Sequence, residues 1–239
     1  MTDKDDEKDT LRLALPVLER LYGRFTVDPA QTESPDAALI LASADGEREA
    51  AVTIGIEVTS IDPFDVQKYL NDGKTHRDEV TRRLEAAAAG QAAATRAVKK
   101  ALVSFSDDYI AKGALLKAKL YDTYASKGFA EVALLVTSEF LLASHPDFHD
   151  YLVPWADYRL SQAGFPFGAV IFVCKTARQA FLVYDLNSPV TLEPAKPAGN
   201  TASLEVAVIH GSFGAPLNIN AAFEQEPAIT MGKPKRVRK

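Results

Sequence analysis

The sequence predicts an α/β protein whose mixed central sheet is flanked by helices. Three observations carry that prediction. Apolar residues recur at helical spacing near the start of the chain, two strand-length runs then flank an Asp-Gly turn, and helices and strands alternate in the second half.

Leu11, Leu15, Leu18 and Tyr22 fall on one stripe, so the spacing predicts an amphipathic helix over 9–22, with Pro16 bending it or starting a second segment. Phe25–Val27 reads as a short strand. Ala37–Ala42 and Ala51–Thr59 read as the arms of a hairpin about Asp45-Gly46. In the second arm Val52, Ile54, Ile56 and Val58 share a face that must be buried. Thr53, Gly55, Glu57 and Thr59 share the other, small and polar, as the floor beneath a site would be. From 64 to 127 the pattern is helical. Val80, Leu84, Ala87, Gln91, Thr95, Val98 and Leu102 form one stripe through an alanine-rich segment. A second helix over 107–126 follows a Ser-Asp-Asp start and stops before Gly128. Strands follow at 131–137, 168–174, 180–185 and 204–209, with a helix near 154–163. The expected organisation is an acidic disordered tail at 1–8, one domain at 9–225 and a basic flexible tail at 226–239.

Composition narrows the classes. With 239 residues, 47% apolar and 25% charged, the chain has an ordinary globular balance. No apolar run approaches the roughly 20 residues that span a bilayer, and the acidic start has no apolar h-region. No membrane partner and a cytoplasmic location are therefore expected. The single cysteine, Cys174, forms no internal disulfide, fits a reducing compartment and reads as a core residue. A net charge of −5 argues against a surface that coats nucleic acid indiscriminately. The basic end, GKPKRVRK, would add weak, salt-sensitive attraction to phosphates.

The hairpin carries the chemistry. Asp36 opens its first arm and Glu57 lies near the end of the second, so pairing about the turn makes the two carboxylates neighbours. Carboxylates at close range repel unless a cation lies between them, which suits a divalent metal. On the 107–126 helix, Lys117 shares a face with Ile110, Ala114, Leu120, Tyr121 and Tyr124. A lysine on an apolar stripe needs a partner for its charge. Two readings of it stand side by side: a site lysine, or a packed stem whose ammonium reaches water. Lys112 and Lys119 point elsewhere and read as solvated. Glu19, on the first helix, reads as a surface charge rather than a further metal-side carboxylate.

Pro35-Asp36 at a strand start, a Gly-containing turn and then Ile54-Gly55-Ile56-Glu57-Val58-Thr59 resemble the PD-(D/E)XK, or restriction-endonuclease-like, nuclease superfamily. The order of elements over 10–137 is similar as well. The resemblance implies a restriction-endonuclease-like sheet with a helical segment, 64–127, inserted between the hairpin and the next strand. It implies metal-dependent phosphodiester hydrolysis on nucleic acid, DNA in preference to RNA. Asp36, Glu57 and the backbone carbonyl of Val58 would ligate Mg²⁺ or Mn²⁺, which would activate a bound water and steady the charge building on the phosphate. Thr59 stands where the superfamily carries its lysine, and Lys117 then looks like that lysine moved to a later helix. The rival reading is a non-catalytic protein- or nucleic-acid-interaction module that retains the fold. It is favoured by the missing strand lysine and the acidic net charge, and it predicts Asp36 turned away from Glu57 and no Mg²⁺ binding.

Other motifs are weaker. His145, Asp147, His149 and Asp150 offer zinc-type ligands, yet Pro146 and Asp147 suit the first turn of a helix. His210-Gly-Ser-Phe-Gly214 lacks the G-x-S-x-G elbow, and no Walker or Rossmann glycine loop is present. Trp155, Tyr158 and Phe165 read as core. Arg82, Arg83, Lys99 and Lys100 read as a solvated helix face within reach of a phosphate backbone.

Overall fold

The computed structural model describes residues 3–31, 33–42, 52–71, 98–195 and 203–209. A 20-residue helix, α1 (Asp3–Tyr22), opens the chain and carries Pro16 inside it. It ends at Gly23, whose φ of 75° is the left-handed conformation that glycine adopts without strain. Three strands follow, β1 (Phe25–Val27), β2 (Ala37–Leu41) and β3 (Thr53–Ser60), then α2 (Phe64–Asn71) and β4 (Val98–Ser104). Next come α3 (Tyr109–Leu115), a 3₁₀ turn (Ala118–Leu120), α4 (Tyr121–Ala125) and β5 (Glu131–Thr137). A π turn (Phe148–Leu152) runs into α5 (Val153–Gln162), and the strands β6 (Ala169–Cys174), β7 (Gln179–Asp185) and β8 (Ser203–Ile209) complete the described chain.

Six strands form one mixed sheet in the order β1-β2-β3-β5-β6-β7. The first three make an antiparallel meander, β3, β5 and β6 run parallel, and β7 returns antiparallel. The central strands β5 (EVALLVT) and β6 (AVIFVC) are apolar almost throughout because both of their faces are covered. On one face, Ala14, Val17 and Leu18 of α1 pack on Leu39, Ile54, Ile56, Leu135, Ile171 and Val173. On the other, Phe172 meets Phe148 with ring centres 4.9 Å apart. Cys174 is buried, and of the β3 face expected to be buried Ile54 and Ile56 are buried and Val58 partly so against the same core, while Val52 is 47% exposed.

The chain divides into two compact units, one formed by 1–62 with 105–202, the other by 63–104 with 203–239. The single domain expected over 9–225 spans both units. The first unit holds the six-stranded sheet; the second contains α2 and the antiparallel pair β4–β8. Residues 105–127 therefore belong with the sheet and not to one inserted helical segment spanning 64–127. Val98, Lys99, Lys100 and Leu102 lie on a strand, β4, instead of the expected long helix. The rest of that helix, with Arg82 and Arg83, falls outside the described residues, as do Asp45-Gly46, His210–Gly214 and the basic end. A further correction concerns the start of the chain: residues 3–8, expected as a disordered tail, form the first turns of α1. Among the described residues no helix is long and apolar enough to cross a membrane.

Candidate active site

Antiparallel pairing of β2 with β3 sets Ala37 opposite Ile56, and one step further along the same register sets Asp36 opposite Glu57. Asp36 is pinned there: its Oδ2 accepts the Val58 N–H at 2.7 Å. The segment leading into it is also held. Gln31 Nε2 donates to the carbonyls of Glu33 and Pro35 at 2.6 and 2.7 Å, and Lys127 donates to the carbonyl of Ser34. Pro35 lies flat against Gly55, where a Cβ would stand 2.9 Å from the proline Cγ. Glycine is required there because the neighbouring chain leaves no room for a side chain.

Glu57 is 5% exposed. Its Oε1 accepts a hydrogen bond from Lys117 Nζ at 2.7 Å, and the Lys117 side chain keeps 25% of its surface in solvent. Tyr124 is buried beside Glu57, and burial followed by the Glu57 charge pushes its phenol well above its ordinary range, so it stays protonated. Lys117 does not sit within a continuous helix as expected over 107–126. It stands at the junction between α3 and the 3₁₀ turn, its N–H bonded to the Ala114 carbonyl and its own carbonyl accepting from Leu120. The helical phase survives the break, because Ile110, Ala114 and Tyr124 are all buried on the same side. Gly113 permits this placement. A Cβ on it would lie 2.5 Å from the Cβ of Ile61, so α3 rests directly on the residue following β3.

Burial lifts the Asp36 carboxyl to about 6 from an ordinary 3.8; the Val58 N–H and Lys117 oppose the shift, while Glu57 and Glu7 add to it. Beside Asp36 lies a cavity of about 110 Å³, lined among others by Lys4, Glu7, Lys8, Gln31 and Val58. The further carboxylate on α1 is thus Glu7, and Glu19 is exposed. Sequence reasoning missed Lys4, Glu7 and Lys8 because a charge run was taken for a tail. The signal was present, since Lys4, Lys8, Leu11 and Leu15 continue the apolar stripe backward at helical spacing.

The donor set suits a small hard cation. Three carboxylates, Asp36, Glu57 and Glu7, act on one locus against the charge of Lys117, and every candidate ligand atom is oxygen. Asp36 Oδ1 has no hydrogen-bond partner among the described residues. Among those residues, no group of three or more His, Cys, Asp or Glu side chains is arranged to hold a metal, so the ion's remaining ligands would be water and backbone. The same finding covers the His145–Asp150 segment. There His145 lies edge-on to Phe105 and His149 to Phe148 and Phe181.

Two other acidic positions differ in kind. Asp62, buried, accepts from the Tyr109 hydroxyl at 2.9 Å, the Ser138 hydroxyl and the Glu139 N–H, and so ties the end of β3 to the end of β5. Asp157 lines a cavity of about 460 Å³ between α5 and β7, and burial together with Asp185 lifts its carboxyl to about 6 against the Ser161 hydrogen bond.

Comparison with protein-family models, with curated proteins and with solved structures finds no match for this chain. Its own geometry defines the class: an α/β protein with a mixed six-stranded sheet, carrying a carboxylate pair and a lysine at the open end of its hairpin.

Proposed function

We propose that the protein is a metal-dependent phosphodiesterase of the PD-(D/E)XK type that cleaves nucleic acid, DNA in preference to RNA. The observation that carries this reading is the 2.7 Å contact between Lys117 Nζ and Glu57 Oε1, made directly across the hairpin from Asp36. Thr59 leaves the strand without a cation, and a side chain sixty residues on supplies one to the same carboxylate. The topology supports the reading too: a leading helix, an antiparallel three-strand meander, helices, then a strand parallel to the third.

A Mg²⁺ or Mn²⁺ ion held by Asp36 and Glu57, with the Val58 carbonyl as a further oxygen, would supply Lewis acidity at the reacting phosphate. The chain's own groups have distinct parts. The Val58 N–H fixes one oxygen of Asp36 and leaves the other for the cation. Glu57 holds the Lys117 ammonium in place. Lys117 then presents N–H donors to the attacking water or to a non-bridging oxygen as negative charge builds there. The proton of that water leaves to solvent, to which Lys117 remains partly open.

The test is incubation with single- and double-stranded DNA and RNA in Mg²⁺, Mn²⁺ or EDTA. Asp36→Ala, Glu57→Ala and Lys117→Ala are each expected to lower cleavage by roughly 100-fold or more, with circular dichroism unchanged. Full activity in Glu57→Ala would overturn the mechanism. The non-catalytic rival draws on one observation, that Lys117 neutralises Glu57 without a metal. It predicts that no substrate is cut in any metal.

A further inference from the structure

α1 is longer than its hydrophobic duty requires. From Leu11 onward its core-facing stripe packs on the sheet, through Ala14, Val17 and Leu18. The two turns before Leu11 have the same phase but different chemistry, with Lys4, Glu7 and Lys8 on the stripe that continues toward the core. There they share one cavity with Leu11, Ala37 and Gln31. They line the cavity that also contains Asp36 and Val58. The extension is fastened in place, since Asp6 pairs with Lys175 and its carbonyl accepts the Thr10 hydroxyl at 2.8 Å. Lys4 and Lys8 make no ion pair among the described residues. Two lysines one helical turn apart are therefore carried on an anchored helix to the cavity that Asp36 lines.

We infer that Lys4 and Lys8 form a subsite for the phosphate next to the one being cut, so that the substrate is a polynucleotide and not an isolated phosphodiester. The inference rests on the nuclease reading of Asp36, Glu57 and Lys117. Its physical basis is independent of the metal. Among the described residues no carboxylate forms an ion pair with Lys4 or Lys8, and a polyanionic strand entering the cavity beside Asp36 supplies the counter-charge. Lysine serves here as a point charge that holds a phosphate without reading sequence.

The experiment compares two substrates: a fluorescein-labelled oligodeoxynucleotide and bis(4-nitrophenyl) phosphate, a diester with no second phosphate. In the Lys4→Gln/Lys8→Gln variant, the ratio of kcat/KM for the oligonucleotide to that for the small diester is expected to fall by about tenfold, through KM. The salt dependence of oligonucleotide binding is expected to lose about one contact per lysine. Lys4→Arg/Lys8→Arg restores both. Lys112→Gln/Lys119→Gln, which removes the same charge from exposed positions elsewhere, leaves the ratio where it was. Wild-type cleavage of the oligonucleotide with an unaltered ratio in the Lys4→Gln/Lys8→Gln variant overturns the subsite alone. A wild-type protein that cuts neither substrate overturns the nuclease reading and the subsite with it.

Discussion

Asp36 ionises against its surroundings. Burial and two nearby carboxylates hold its proton to about pH 6, while Val58 and Lys117 draw the other way. A partly buried carboxylate shifted in this manner marks a candidate functional site. If Asp36 is a metal ligand, protons and metal compete for it. At limiting Mg²⁺ the cleavage rate is then expected to climb as pH rises through about 6. At saturating Mg²⁺ the same limb should move to lower pH. Rate profiles at two metal concentrations check this, and a limb that stays put would remove Asp36 from the metal. The sequence made Asp36 and Glu57 legible because both lie on one hairpin, where register follows from strand alternation. It did not make Tyr124 legible as a neighbour of Glu57, because a tyrosine on an apolar stripe gives no sign of which charge it will lie beside.

Two glycines position whole elements. Gly55 lets Pro35 lie against β3, which brings Asp36 to the Val58 N–H, and Gly113 lets α3 rest on Ile61, which brings Lys117 within reach of Glu57. In Gly113→Ala the new methyl would meet Ile61 Cβ at 2.5 Å and its Cα at 2.8 Å, so the helix must move. The expected loss is about 1–3 kcal/mol in urea unfolding, with cleavage reduced at temperatures where the variant is still folded. Wild-type stability in that variant would show that α3 is not held as described. The Lys117 face was legible, because phase along a helix follows from 100° steps and tolerates a local break. The break itself was not. Gly113 apart, nothing between Ala111 and Ser126 weakens helix propensity, yet the chain turns at Leu116–Lys117. The opposite error occurred at α1, where an acidic run that resembles a solvated tail forms two turns of an anchored helix.

At the scale of the whole molecule, two half-buried carboxylates among the described residues sit near 6, Asp36 and Asp157. For each, the folded pKa lies above the ordinary 3.8, so between those values the native state binds more protons than the unfolded chain. Their contribution to stability therefore falls as pH rises through this window and stays lower above it. Both groups are partly exposed, and solvent screening leaves about 1 kcal/mol each. Asp36→Asn/Asp157→Asn is expected to exceed wild type by roughly 1–2 kcal/mol at pH 7, the gap closing toward pH 4. Urea unfolding at each pH measures it, and a gap that does not change with pH would disprove the assignment.

By itself the sequence determined the strands of the first unit and the pairing of Asp36 with Glu57, because strand alternation and turns act over a few residues. Only the tertiary structure decided that β5 runs parallel between β3 and β6, that residues 105–127 join the sheet while 63–104 and 203–239 form a second unit, and that the first turns of α1 reach Asp36. Those outcomes depend on which apolar faces cover one another. Such contacts join residues far apart in the chain and leave no periodic trace in any one segment.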